Sequence, residues 1–381
     1  VNRKSNQKNI GIIKSSNLCL SGDTLVLTKT GAEPIADLVG KEVEIFDGEQ
    51  WVLNKSFRKT AENAQVFRVT FADNSSVICT PSHKWIKEDT GEFIEANSLS
   101  VGEVLKVHNK VPDGTVKENA AYLKGFLVAE GTIDRTYGGR PILWLYSTKY
   151  QCKDRLVVSA KELAGEVCRL GTNTDFYFVD AGENRVRMNG LAAKKGQLLP
   201  WDAIYKQYLP LEVYSWDLES KANFIAGVMD GDGTVSKSKE GAMCYQISSI
   251  HKDWLVNFQT LLKTVGVYAT LGVSKRTVKD FGDGYGEYPC KDIYRLSISN
   301  VSARKLSALV KFERLENFPT EGGYKTTPRC AVVKGIEELE ETQDVYCTTV
   351  DTTYKFALAN GLMTGNCTEI VEVSTPNEIA V

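Results

Sequence analysis

Apolar and polar positions change their period twice along this 381-residue chain. From Thr24 to about Val107 they alternate in short runs, Thr24–Leu27, Lys41–Phe46, Val66–Phe71 and Ser76–Cys79, which predicts β-strands. Thr30-Gly31, Asp47-Gly48 and Ala72-Asp73-Asn74 fall where hairpin turns belong. From Glu118 the apolar residues recur at helical spacing in Ala120–Glu130, Tyr150–Arg169, Lys221–Asp230, Lys252–Val265 and Val301–Lys311. Strand-like runs lie between them: Pro141–Ser147, Phe176–Val179, Val186–Met188, Tyr245–Ser249 and Ile293–Ile298. The order helix, strands, helix occurs twice, about 100 residues apart, which predicts two related half-domains. After Gly322-Gly323-Tyr324 the alternation returns in Ala331–Val333, Gln343–Val350 and Tyr354–Ala359, with a tight turn at Asn360-Gly361. The pattern predicts an all-β framework split by an inserted α/β domain.

Composition narrows the classes. The apolar (42%) and charged (25%) fractions are those of a globular protein, and no run of about 18 apolar residues predicts a membrane span. The first eight residues lack an apolar secretory segment. Nine scattered cysteines, with no CxxC pair, argue against a disulfide framework or zinc site and for a reducing, cytoplasmic compartment. Net charge is −2, yet Ala120–Lys325 holds 28 Lys and Arg against 23 Asp and Glu. A mildly basic centre in an acidic frame is compatible with a polyanionic partner for the inserted domain, and equally with chance.

The ends of the β-framework carry the chemistry. Cys19 opens the run Cys19-Leu20-Ser21-Gly22-Asp23-Thr24, and Asn366-Cys367 closes the run from Asn360. A thiolate is a strong nucleophile, and an Asn side chain can attack its own peptide carbonyl. Together with Thr80-Pro81-Ser82-His83 and Val345–Asp351, these stretches resemble the four splicing blocks of inteins, in the family's order. The resemblance implies a Hint (Hedgehog/intein) horseshoe, with Cys19–Asn366 excised and Leu18 joined to Cys367. It implies thioester formation at Cys19, with His83 moving the proton and Thr80 stabilising the oxyanion, then acyl transfer to Cys367 and cyclisation of Asn366.

Three positions depart from the usual pattern. Gly365 stands where the family usually has His, Tyr354 where it often has a second His, and Cys347 where it often has Asp. Trp85, Cys347 and Thr364 match a minor intein class in which the internal Cys carries a branched thioester. Cys347 is therefore either a branching nucleophile, with Cys19 assisting or redundant, or a buried structural thiol.

Within the insertion, Leu123–Gly131 and Ile225–Gly233 resemble the paired LAGLIDADG motifs of homing endonucleases. Small residues at the third and seventh places of each would let two helices pack closely; Lys124 departs from the small second place that Ala226 keeps. Glu130 and Asp232 at the eighth places would meet at the dyad and bind Mg2+ through oxygen ligands. The resemblance implies cleavage of double-stranded DNA at the host-gene insertion site by an α/β domain with pseudo-two-fold halves. Candidate DNA contacts on its strands and loops are Lys149, Lys153, Arg185, Arg187, Lys237, Lys239, Lys275, Arg276 and Arg295. Lys194, Lys195 or Lys325 would supply a cation near the scissile phosphate.

Joining Leu18 to Cys367 gives Ser-Asn-Leu-Cys-Thr-Glu-Ile, which resembles class I ribonucleotide reductase large subunits, whose Cys carries the radical. The expected organisation is a flank over 1–18, framework over 19–115, endonuclease over 116–325, framework over 326–366 and a flank over 367–381, in a monomer with its host segments in cis. Splicing would need no cofactor. The competing readings are a splicing element with a degenerate, DNA-binding-only endonuclease, a Hedgehog-like module that cleaves without ligation, and a pure DNA-binding protein.

Overall fold

The computed structural model describes residues 19–366 apart from 109–110, 112, 135–139, 166–177, 181–184, 189–205, 207–208, 238–242, 276–277, 281, 283, 285 and 320–326. Leu18, Lys194, Lys195, Lys239, Arg276, Lys325 and Cys367 lie outside the described residues, and of Arg185 only the backbone is described.

The two ends of the chain build sheets together. The largest has six strands in the order Val333–Glu338, Phe67–Phe71, Ser76–Cys79, Leu20–Ser21, Gln343–Cys347 and Arg58–Ala64. A second runs Phe93–Glu95, Lys84–Ile86, Met363–Gly365 and Lys355–Ala357. In both, antiparallel strands from the first hundred residues interleave with strands from beyond residue 330. A third sheet, Gly31–Pro34, Leu25–Thr28, Val43–Phe46 and Trp51–Asn54, is built from local hairpins. The alternation predicted over 67–71 is real: Val69 and Phe71 are buried, while Arg68 and Thr70 are partly exposed. Leu20, Val69, Phe71, Trp85, Phe356 and Leu362 share one apolar core, so neither end can bury its strands alone.

The described residues between them form five α-helices: α1 (Ala121–Glu130), α2 (Lys153–Gly165), α3 (Leu218–Asp232), α4 (Lys252–Thr264) and α5 (Asn300–Leu309). Each motif helix, α1 and α3, leads into a four-stranded antiparallel sheet. The first is ordered Gly131–Asp134, Arg140–Tyr146, Arg185–Met188, Phe178–Asp180, and the second Thr234–Lys237, Met243–Ser249, Ile293–Ser299, Thr270–Ser274. In both, the third and fourth strands along the chain exchange places, so the repeat read from the sequence is a repeat of topology. A hairpin of Val278–Asp280 and Glu287–Pro289 belongs to the second half.

Several boundaries differ from expectation. The helix expected over 150–169 starts as a 3-10 turn, Ser147–Cys152, before α2 begins. The one expected over 221–230 begins earlier, because the Asp217 side chain caps it by accepting from the Ser220 N–H. The strand expected over 343–350 stops at Cys347, where Thr348 and Thr349 turn their polar groups toward Asn54 and Ser56. Tyr354 adopts a left-handed φ of +55°, so the next strand begins at Lys355.

The predicted turn at 72–74 has a second role. Asp73 pairs with Lys263 of α4 at 2.8 Å, with the two side chains only 2% and 1% exposed. The Asp73 carbonyl accepts from the Leu271 N–H at 3.1 Å, tying the turn to a strand of the second α/β half.

Candidate functional site

The first candidate site is assembled where the two ends meet. Cys19 is fully buried, and its N–H donates to Thr80 Oγ1 at 3.1 Å. The Thr80 N–H donates back to the Cys19 carbonyl at 2.9 Å. The His83 N–H donates to the Thr80 carbonyl at 3.0 Å, which closes the turn and brings the ring inward. His83 Nε2 lies 2.5 Å from Thr364 Oγ1, and its ring stands edge-on to Trp85 at 5.1 Å. Trp85 pairs in register with Thr364, so the three residues form one buried group.

Two residues beyond Thr364, Asn366 is buried. Its N–H donates to the Tyr354 carbonyl at 3.1 Å and its Nδ2 to the Val350 carbonyl at 3.0 Å. Asn366 Oδ1 has no hydrogen-bond partner among the described residues. Gly365 fits its place closely: a Cβ there would sit 3.1 Å from Lys84 Cβ and 3.1 Å from Phe93 Cε1. The Tyr354 side chain is exposed, and only its backbone touches Asn366.

The antiparallel register Leu20–Tyr346 and Ser21–Val345, continued one residue, sets Cys19 opposite Cys347. Both belong to one buried cluster with Val66 and Val345. Burial pushes the Cys79, Cys152 and Cys330 thiols each up to about 12, which makes these three poor nucleophiles. His108 is likewise silent, because burial pushes it down to about 4 and leaves a neutral ring edge-on to Phe46.

Sequence reasoning missed the residues that hold this site from the Arg58–Ala64 side. Thr60 Oγ1 lies 2.8 Å from Cys19 Sγ. Asn54 and Ser56 bind the Thr349 carbonyl, and Arg58 reaches Thr349 Oγ1. None lies in a motif, and only strand pairing reveals them.

The second candidate site lies where α1 meets α3. The helices approach so closely that a Cβ on Gly125 would fall 2.1 Å from the Phe224 carbonyl, one on Gly227 2.1 Å from the Tyr122 carbonyl, and one on Gly231 2.3 Å from Ala129 Cβ. The glycines at the third places are thus required by backbone contact, and the one at position 231 by the Ala129 Cβ across the pair. Lys124, at the second place, is accommodated by pairing with Glu118 at 2.7 Å. Asp230, fully buried, accepts from the Tyr122 hydroxyl and from the Glu313 and Arg314 N–H groups, so it anchors a loop.

Glu130 and Asp232 end the two helices side by side and partly exposed. Burial pushes the Glu130 carboxyl up, Lys149 pulls it down, and the neighbouring Asp232 pushes it up again, leaving it above its ordinary value. Lys149, expected as a DNA contact, is ion-paired with Glu130, and Lys206 with Asp232. Lys206 also donates to the Ala129 carbonyl at 3.0 Å. Lys206 had no signal in the sequence, and the expected Lys194, Lys195 and Lys325 lie outside the described residues.

The remaining described candidates, Lys153, Arg187, Lys237, Lys275 and Arg295, are exposed. Arg295 projects from the face opposite buried Leu296 and Leu271, beside Ser248 at 3.3 Å. Lys237 pairs with Glu316 at 2.9 Å, both more than half exposed. No helix among the described residues is long and apolar enough to cross a membrane.

The LAGLIDADG-like domain family matches residues 219–311, around the second motif helix. Along 98% of its length the chain is similar to ribonucleotide reductase large subunits. It is 28% identical over 404 residues to that of Invertebrate iridescent virus 6, and 25% identical over 420 residues to the NrdEB subunit alpha of Bacillus subtilis strain 168. It spans 38% of the length of each relative. A match of that extent runs through the region between Cys19 and Asn366, beyond the short flanks. A LAGLIDADG domain inside such a match is what an intein-bearing reductase large subunit would display.

Among solved structures, I-DmoI in complex with DNA and Ca is similar over 53% of this chain and 94% of that one, at 16% identity and a TM-score of 0.33. A Ssp DnaB mini-intein variant is similar over 26% of this chain and 66% of that one, at 19% identity and a TM-score of 0.23.

Proposed function

We propose that Cys19–Asn366 is a self-splicing element that carries a DNA endonuclease and interrupts a ribonucleotide reductase large subunit. The framework comprises 19–115 and 326–366, the endonuclease 116–325, and 1–18 with 367–381 are the host flanks. One observation carries the reading: the hydrogen-bonded path from Cys19 through Thr80 and His83 to Thr364 links the two predicted scissile ends across the inserted domain.

In this mechanism Cys19 Sγ gives its proton to His83 and attacks the Leu18 carbonyl carbon. The C–N bond breaks, His83 delivers a proton to the departing nitrogen, and Thr80 steadies the oxyanion. Cys347, opposite Cys19 in register, takes the acyl group as a branched thioester and regenerates the Cys19 thiol. The Cys367 thiol then takes the acyl group and frees Cys347. Asn366 Nδ2 attacks its own carbonyl carbon, which breaks the Asn366–Cys367 bond and releases the Cys367 amine. That amine attacks the adjacent thioester and leaves an amide. The Val350 and Tyr354 carbonyls, which hold Asn366 at both nitrogens, take over the orienting work that a His at 365 would do.

The endonuclease reading rests on the adjacent Glu130 and Asp232. Two half-buried carboxylates of like charge suit a divalent cation bound through oxygen, Mg2+ being the natural choice. No cluster of three or more His, Cys, Asp or Glu residues occurs among the described residues, so DNA phosphate and water would complete the shell. Such an ion would polarise the scissile phosphate. Lys149 and Lys206 hold the acids in position, and the exposed sheet residues bear on the double-stranded DNA of the host-gene junction.

Expression in longer host flanks, followed by weighing the products, tests splicing. A ligated host peptide with a separate Cys19–Asn366 fragment is expected; unjoined fragments would favour cleavage alone, and intact precursor would overturn the reading. Incubating the folded protein with uninterrupted host-gene DNA and Mg2+ tests cutting, and intact DNA would remove the nuclease role.

A further inference from the structure

The strand Arg58–Ala64 pairs with Gln343–Cys347 in a register that shifts twice, between Gln343 and Val345 and again between Val345 and Tyr346. Val345 faces Ala61, but the next residue, Tyr346, faces Lys59. Thr60 is therefore the extra residue of a β-bulge, and such a bulge re-aims its side chain. Thr60 Oγ1 stands 2.8 Å from Cys19 Sγ and 2.9 Å from the Val345 carbonyl. A hydroxyl has one hydrogen and faces two acceptors here. Against a neutral thiol the carbonyl is the better acceptor; against a thiolate the charge-assisted bond to sulfur wins. Cys19 is fully buried, so bulk water cannot freely solvate a thiolate there.

We propose that Thr60 is a catalytic residue of the first acyl shift: its hydroxyl donates to the Val345 carbonyl at rest and turns to the Cys19 thiolate as the thiol loses its proton. The inference rests on the reading that Cys19 makes the first thioester. The switch needs only rotation about one side-chain bond. It stabilises the nucleophile when charge develops on sulfur.

The test uses the full chain with Asn366→Ala and Cys367→Ala, so that the acyl group goes no further than the Cys19 and Cys347 thioesters, and dithiothreitol to release the N-terminal flank for weighing. Hydrogen bonds to charged groups are strong enough that Thr60→Val should slow release about tenfold at neutral pH and move the rise of the pH–rate profile up by about one unit. Thr60→Ser, which keeps the hydroxyl, should restore both. If Thr60→Val fails to fold, Thr60→Ala removes the hydroxyl without adding bulk and reads the same quantity. Release from the hydroxyl-free variant with the unmodified rate and profile would overturn the proposal. So would equal slowing at every pH shared by Thr60→Ser, which is the mark of packing alone. Cys19→Ala in the same background separates the underlying reading: thiol-driven release that survives it shows another residue makes the thioester, and the role of Thr60 falls with it.

Discussion

Nε2 of His83 and Oγ1 of Thr364 lie 2.5 Å apart, although 281 residues separate them in the chain. Both side chains are completely buried, and the ring is held against Trp85. The ring proposed to move the proton at the first cut is thus oriented by a hydroxyl two residues from the proposed second cut. Thr364→Val should free the ring and slow splicing by about tenfold to a hundredfold, part of the roughly 10²–10⁴-fold that a positioned acid–base group supplies. Thr364→Ser should splice near the normal rate. Precursor and product weighed over time check both.

The two buried thiols should fail differently. Cys19→Ala should release no N-terminal flank with added thiol. Cys347→Ala should still release it but should not ligate the flanks, because the acyl group stalls on Cys19. Normal ligation by Cys347→Ala would remove that thiol from the path and leave direct transfer to Cys367.

Restoring the family's usual His should not help this chain. Gly365→His puts a Cβ 3.1 Å from Lys84 and Phe93, with a ring still to place. Overpacking of this kind costs about 1–3 kcal/mol. A lowered melting temperature with no faster C-terminal cleavage is expected; a stable, faster variant would contradict the fit described for Gly365.

The Asp73–Lys263 pair should report how firmly the framework holds the inserted domain. Removing one partner of a buried pair costs about 3–5 kcal/mol, so Lys263→Ala should lower the unfolding midpoint markedly. Burial pushes the Asp73 carboxyl up, but Lys263 and hydrogen bonds from Ser75 pull it further down, so it sits below its ordinary value. Just below the ordinary carboxylate value the unfolded chain takes up a proton that the folded chain refuses. The stabilisation is therefore complete above about pH 4 and is lost as pH falls through the lowered value. Acid unfolding followed by circular dichroism should show this dependence in the unmodified chain and not in Asp73→Asn.

Cutting and splicing should separate by mutation. Glu130→Gln or Asp232→Asn should abolish DNA cleavage and leave host ligation intact, as should removal of divalent metal by chelation. Gly227→Ala should also end cutting, through loss of fold, since its Cβ would meet the Tyr122 carbonyl at 2.1 Å. A melting curve distinguishes it from the carboxylate variants.

The sequence by itself determined most of the elements and singled out the candidate reactive residues. Period-two alternation located strands such as Phe67–Phe71, because every second side chain there meets a core. Small residues at fixed places located the motif helices, because the third places meet backbone at a distance that only Gly tolerates. Cys19, His83, Asn366, Glu130 and Asp232 were legible because each lies inside a local motif. The partners that hold them were not. Thr60 reaches Cys19 through a bulge set by pairing with a strand nearly 300 residues away, Cys347 faces it only through that sheet's register, and Lys206 meets Asp232 from outside either motif. Asp73 looked like an ordinary turn residue until α4 brought Lys263 beside it. Local chemistry is written in neighbouring residues, whereas contact between distant segments depends on strand register and helix packing, which the folded chain settles cooperatively.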